Sequence, residues 1–121
     1  MAVILLVEDD EQVRVLAESI LREDGHAVIC AAGMQSAKTL IDADEAIDLI
    51  LTDLTLGTEP EAGLVIGQYA REKRPDIKVV YTSGQGVTEG MRRMFVDDFE
   101  FLAKPFTPAQ LLIAIGRALQ A

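Results

Sequence analysis

Val3-Ile4-Leu5-Leu6-Val7-Glu8-Asp9-Asp10 runs five consecutive apolar residues straight into three carboxylates. A strand with one wet face alternates apolar and polar side chains. A strand without alternation must be covered on both faces, which a parallel sheet between two helical layers supplies. Two further segments have the same form: Leu49-Ile50-Leu51-Thr52 ends on Asp53, and the run from Phe99 to Leu102 leads to Lys104. If these are neighbouring parallel strands, the acids and the lysine meet at one edge. Carboxylates a few ångström apart repel by roughly 1 to 4 kcal/mol per pair. Such a cluster points to a divalent cation as its occupant, and the lysine to a second anion beside it.

Composition narrows the class. At 121 residues the chain has the length of one domain, with half its residues apolar and 26% charged, which suits a globule and argues against wholesale disorder. No apolar run approaches the ~20 residues that span a bilayer, and the N-terminus lacks the basic region of a signal peptide. A cytoplasmic protein with no membrane contact is expected. The net charge of −9 argues against nucleic-acid binding, which depends on Lys and Arg neutralising phosphates, and favours partners with basic patches. Cys30, the lone cysteine, sits in Val28-Ile29-Cys30-Ala31-Ala32 and reads as core packing.

Strand-length apolar runs alternate with segments of helical period. The strands are expected at Val3 to Val7, Ala27 to Ala31, Leu49 to Asp53, Val79 to Thr82 and Phe99 to Leu102. Val13, Leu16, Ala17, Ile20 and Leu21 follow the spacing of a one-faced helix, and Met34, Ala37, Leu40 and Ile41 repeat it. Gly25 closes the first helix, Pro75 the third, and Thr107-Pro108-Ala109-Gln110 is a capping box opening the last, which runs through Leu111, Leu112, Ile115 and Leu119. After Gly84-Gln85-Gly86, Met91, Met94 and Phe95 suggest a fourth helix of barely two turns. The result is an α/β domain of (βα)5 form, a doubly wound five-stranded parallel sheet. Sites in such folds lie beyond the carboxyl ends of the strands. Glu8, Asp9, Asp53, Thr82 and Lys104 all fall at such ends.

Each of these residues has a plainer alternative. Glu8-Asp9-Asp10 could cap the helix that follows, and Asp10 is the natural cap. Asp53 could simply begin the turn Leu54-Thr55-Leu56-Gly57. Against these stands their convergence: buried acids need partners, and Mg2+ prefers oxygen ligands from one or two carboxylates plus a phosphate. A carboxylate can also act as nucleophile toward a phosphoryl group, given a metal, an opposing cation such as Lys104, a hydroxyl such as Thr82 and backbone N–H donors near Thr55 and Ser83.

Val7-Glu8-Asp9, Asp53 after its apolar run, Val79-Val80-Tyr81-Thr82-Ser83-Gly84 and Phe101-Leu102-Ala103-Lys104-Pro105-Phe106, in this order and at these separations, resemble the response-regulator receiver domain of two-component phosphorelays, in its chemotaxis-type single-domain form. The resemblance covers essentially the whole chain, 1–121, with no output domain expected. It implies a flavodoxin-like sheet of strand order 2-1-3-4-5. It further implies that Asp53 is the phosphoacceptor, charged by a histidine kinase or a histidine phosphotransfer protein. Glu8, Asp9, Asp53 and the backbone carbonyl of Thr55 would hold Mg2+, and Thr82 and Lys104 would contact the phosphoryl oxygens. Lys104–Pro105 would be a cis peptide. Thr82 and Phe101 would form the switch, altering a protein-binding surface on the fourth and fifth helices and the fifth strand for a downstream target the sequence leaves open. The chain would be a monomer or weak dimer, and no enzyme beyond catalysing its own phosphorylation and dephosphorylation.

One departure stands out. The family usually places Pro four residues after the acceptor and Gly eight after it; here those positions are Gly57 and Glu61, and the matching glycine is Gly63. Two extra residues are therefore expected in Leu54 to Ala62, adding Glu59 and Glu61 near the site. Phe95, Phe99 and Phe106 read as packing residues, and His26 as a surface turn residue away from the site, so a phosphohistidine donor must come from a partner. Thr55 lacks the carboxylate or amide that might orient an attacking water, so slow to intermediate self-dephosphorylation is expected.

Other functions compete. A haloacid-dehalogenase-type phosphatase also uses an aspartyl nucleophile, but needs a second Asp where Thr55 stands. A flavodoxin-like FMN carrier would need a phosphate loop rich in Ser, Thr and Gly where this chain has three carboxylates. A receiver acting as a phosphate sink, or as part of a hybrid kinase, shares every motif.

Overall fold

In a computed structural model describing residues 1–43 and 45–120, five strands alternate with five helices. They are β1 (Val3–Val7), α1 (Glu11–Glu23), β2 (Ala27–Ala31), α2 (Met34–Asp42), β3 (Leu49–Asp53), α3 (Ala62–Lys73), β4 (Lys78–Ser83), α4 (Glu89–Arg93), β5 (Phe99–Ala103) and α5 (Pro108–Gln120). The strands of the sheet pair in parallel, in the order β2-β1-β3-β4-β5. This is the expected flavodoxin-like (βα)5 sheet, and its register sets Asp53 opposite Thr82.

The unbroken apolar strands divide their side chains between two layers. Leu5, Val7, Ile50, Val79 and Tyr81 pack against Ala37 and Ile41 of α2 and Leu64, Ile66 and Ala70 of α3. Ile4, Leu6, Leu49, Leu51 and Val80 pack against Ala17 and Leu21 of α1 and Leu111, Ala114 and Ile115 of α5. Each fully buried Leu or Ile contributes roughly 1.5–3 kcal/mol, so the two-sided sheet is the main source of stability and holds the strand ends at fixed spacing.

Local rules set the element ends. Asp10 Oδ1 accepts the Val13 N–H at 3.1 Å, capping α1. The chain leaves α1 through Gly25 at φ +92, a conformation that strains any residue with a Cβ. At α5, Gln110 N–H donates to Thr107 Oγ1 at 3.1 Å while Thr107 N–H donates to Gln110 Oε1 at 2.9 Å, a reciprocal capping box.

Several expectations need correction. β4 gains Lys78 and Ser83 and β5 gains Ala103. Leu16, assigned to the inner face of α1, is 57% exposed beside Val15, because only Ala17 and Leu21 point fully inward. α4 is one turn, Glu89–Arg93, capped by Thr88 Oγ1 accepting the Met91 N–H. Met94 ends the helix and Phe95 lies outside it, because Phe95 turns into the core and stacks on Tyr81 at a centroid distance of 4.4 Å. Phe99 and Phe106 are partly buried packing residues. His26 lies in the turn before β2, away from the site, but its ring is enclosed rather than on the surface: Nδ1 accepts the Ala2 N–H at 3.1 Å, and Nε2 is 3.3 Å from Asp24 Oδ2. Cys30 is half-buried at the margin of the α1/α5 layer, where burial and the nearby Glu18 push its thiol up to about 11.

Candidate functional site

β1, β3 and β4 end side by side, and the polar residues at their ends are drawn together because the apolar residues before them anchor each strand. Glu8 is 3% exposed and Asp53 9% exposed. Lys104, just past β5, joins them: its Nζ lies 2.5 Å from Glu8 Oε1 and 2.7 Å from Asp53 Oδ2. The Lys104–Pro105 peptide is cis. Thr82 is buried at the end of β4, and Thr55 follows β3 with its N–H 3.4 Å from Asp53 Oδ1. One carboxylate oxygen each from Glu8, Asp9 and Asp53 can be chosen so that all three lie within 4.8 Å of one another. They border an open cavity of about 450 Å3 that Thr55, Ser83 and Lys104 also line. Glu8, Asp9, Asp53, Thr55 and Lys104 are thus brought together, and Thr82 flanks Asp53 in register.

The electrostatics divide the three acids. Burial raises the Glu8 carboxyl above its ordinary value, despite the opposing hydrogen bonds from Lys104 and the Asp10 N–H. Lys104 shows the reverse balance: burial would lower it, but its bonds to Asp53 and Glu8 outweigh that and raise it. Asp9 is exposed; its partial burial, the largest single influence, would raise its carboxyl, but the Gly57 N–H, hydrogen bonding with Glu8 and with its own backbone, and the Lys104 charge together outweigh that and hold it below the usual value. The site therefore holds an ammonium between two carboxylates and a third carboxylate at its mouth. Hard oxygen donors in this number suit a small divalent cation, and the solvent-facing side leaves room for its waters.

Phe101 is set apart from this edge. Its half-buried ring lies 6.5 Å from Phe95 at an interplanar angle of 15°, in the layer that also holds Tyr81, its partner in register. An aromatic group of Tyr81, Phe95, Phe99 and Phe101 so extends from the residue next to Thr82 out to α4.

Some contributors were not singled out from the sequence. Arg14 donates to the Glu8 backbone carbonyl at 2.9 Å, and the Ser83 hydroxyl folds the turn after β4 by bonding Gln85 N and O. Gly57 N–H donates to Asp9 Oδ2 at 2.9 Å. The Gly at this position signals a turn, but nothing local names its distant partner. Gly63 was matched through the family resemblance, and the structure gives it a steric reason: a Cβ there would lie 2.2 Å from the Asp53 carbonyl oxygen.

Residues 4–116 match the family model described as response regulator receiver domain. Among curated proteins, the chain is 30% identical to the sensor kinase CckA of Brucella abortus, over 98% of this chain and 13% of that one. Among solved structures, a response regulator receiver protein from Sinorhizobium medicae superposes with a TM-score of 0.90 at 32% identity, covering 99% of this chain and 95% of that one. The receiver domain of the hybrid histidine kinase CckA superposes with a TM-score of 0.81 at 27% identity, covering 98% and 99%. The chain spans 13% to 42% of the length of the curated relatives compared. With its fold, the order of its strand-end residues and the match over 4–116 in agreement, the chain belongs to the response regulator receiver domain family.

Proposed function

We propose that this chain is a Mg2+-dependent phosphoacceptor switch charged on Asp53 by a histidine kinase or a histidine phosphotransfer protein. The observation that carries it is Lys104 Nζ held between Glu8 and Asp53, at 2.5 and 2.7 Å, beside the three-carboxylate cluster. A carboxylate oxygen of Asp53 forms the bond to phosphorus as the P–N bond to the partner's imidazole breaks, and the electron pair leaves with that nitrogen. Lys104 neutralises charge at the transferred group; the Thr55 N–H, 3.4 Å from Asp53 Oδ1, and the hydroxyl of Thr82, the strand partner of Asp53, serve as donors. Glu8, Asp9, Asp53 and the Thr55 carbonyl would hold the Mg2+, which when bound screens the phosphoryl oxygens.

Thr82 and Phe101 form the switch, and the surface of α4, β5 and α5 is the output for a downstream protein. The chain turns over no external substrate, and hydrolysis of a phosphomonoester such as p-nitrophenyl phosphate would contradict this. With Thr55 two residues past the acceptor, phosphate is retained for minutes or longer; loss within seconds would contradict that. The main test is NMR of the Mg2+ form with and without beryllofluoride. Amide shifts around Thr82 and Phe101 are expected in the unaltered chain and not in Asp53→Asn. No shifts in the unaltered chain, or shifts that persist in Asp53→Asn, would overturn the proposal.

A further inference from the structure

The segment after β3, where two extra residues are expected, folds at Leu56 to Glu59 into a miniature hairpin. Leu56 N–H donates to Glu59 O at 3.1 Å and Glu59 N–H to Leu56 O at 3.0 Å, closing Gly57-Thr58 as a two-residue loop. Gly57 has φ +60, the positive value that primed hairpin turns require at their first position. Leu56 is 6% exposed, so the hairpin is fastened to the core layer rather than free in solvent. In this position the Gly57 N–H donates to Asp9 Oδ2 at 2.9 Å, across 48 residues of sequence. Glu8 and Asp53 are held by the Lys104 ammonium, whereas Asp9, the exposed member of the cluster, is held by this backbone amide.

We propose that the Gly57 amide is a positioning group for the divalent cation, holding Asp9 by one carboxylate oxygen so that the other is presented as a metal donor. This rests on the assignment of Glu8, Asp9 and Asp53 as the Mg2+ site. An exposed aspartate otherwise samples several rotamers, and a small cation with strict octahedral demands suffers most from a misplaced ligand. Outer hydrogen bonds of this kind are worth about 10- to 100-fold in metal affinity. The loop after β3 therefore sets metal affinity through its backbone, and its acidic side chains Glu59 and Glu61 are not required for that effect.

An L-proline at 57 would remove the N–H but also forces φ to about −65°, opposite in sign to the turn. D-proline has the required sign of φ and lacks the donor; D-alanine has the same sign and keeps it. The test is the full chain assembled by chemical ligation with Gly57 replaced by D-proline or by D-alanine, with Mg2+ and Ca2+ affinities measured by calorimetry. The D-proline chain is expected to bind Mg2+ about 10-fold more weakly, with a smaller loss for Ca2+, whose coordination tolerates irregular geometry. The D-alanine chain is expected to match the unaltered one. Equal or tighter Mg2+ binding by the D-proline chain would overturn the proposal, as would an equal loss in the D-alanine chain. A failure of the unaltered chain to bind Mg2+ would overturn both the metal assignment and this inference. Normal binding with no D-proline effect would overturn the inference alone.

Discussion

Lys104 bridges two buried carboxylates at a strand edge, at 2.5 Å from Glu8 and 2.7 Å from Asp53, and the resolved pH dependence there falls on Glu8 and on Lys104 itself. Burial leaves the Glu8 carboxyl above its ordinary 4.5 even with Lys104 beside it. Its stabilising contribution is therefore present below the unfolded value near 4.5 and is lost as pH rises through the higher folded value. Lys104 is raised above 10.5, so its contribution is present below that value and is lost only as pH rises through the still higher folded one. In Lys104→Met the apolar stem remains but Glu8 loses its strongest opposing hydrogen bond, pushing its folded value further up. The expected cost is about 2 kcal/mol at pH 7 in urea unfolding, shrinking as pH falls toward 4.5; a cost independent of pH over that range would contradict it. At this scale the sequence was informative where the rule is local. Asp10 as cap follows from its place before α1, and it holds; Gly63 was matched only through the family pattern, and its steric reason, the close approach of the Asp53 carbonyl, is visible only in the fold. The Gly57 amide on Asp9 and the Ala2 amide on His26 Nδ1 were illegible, since each depends on a distant segment folding back.

Among the elements, α4 is the least regular and is tied down from outside. Gln68 Nε2 donates to Met94 O at 2.9 Å, Arg71 donates to Asp97 O at 2.7 Å, and the Val96 N–H donates to the Tyr81 hydroxyl at 3.1 Å. Met94 and Phe95 still donate three residues back, to Met91 O at 3.0 Å and Arg92 O at 3.2 Å, and from there to Asp97 the segment is held by α3 and β4, before Asp98 at φ +56 turns it into β5. Periodicity suggested a longer helix because Met91, Met94 and Phe95 are apolar at plausible spacing; what ended it early is the stacking of Phe95 on Tyr81, a tertiary contact with no sequence signature. Tyr81 is fully buried, with its hydroxyl set against Gly67, where a Cβ would lie 2.5 Å away. Tyr81→Phe keeps the ring but leaves the Val96 N–H without its acceptor. It is expected to cost about 1 kcal/mol and to speed hydrogen exchange at Val96 well before exchange in the β3–β4 core changes. Unchanged exchange at Val96 would show that this hydrogen bond does not anchor the segment.

For the molecule as a whole, periodicity established five βα units and two helical layers, because continuous apolar strands admit no other cover. The order β2-β1-β3-β4-β5 was not contained in that pattern: right-handed crossovers allow several orders, and this one was implied by the family resemblance. What any order had to satisfy was the convergence of Glu8, Asp53, Thr82 and Lys104 at the carboxyl ends of the strands, and that convergence also concentrates charge. A net −9 spread over 121 residues opposes compaction, and three of its carboxylates, each with an oxygen within 4.8 Å of the others, make this edge its focus. A cation that binds only the folded chain stabilises it by mass action, about 2.7 kcal/mol at a hundredfold excess over Kd, or roughly 10 °C in Tm for a domain this size. Screening alone would also help an acidic protein, so NaCl at matched ionic strength separates the two effects. Mg2+ is expected to raise Tm by several degrees beyond NaCl, with the excess following a one-site isotherm and vanishing in Asp9→Asn combined with Asp53→Asn. Equal shifts from both salts would mean that the edge is merely screened and that the carboxylates do not act together as one metal site.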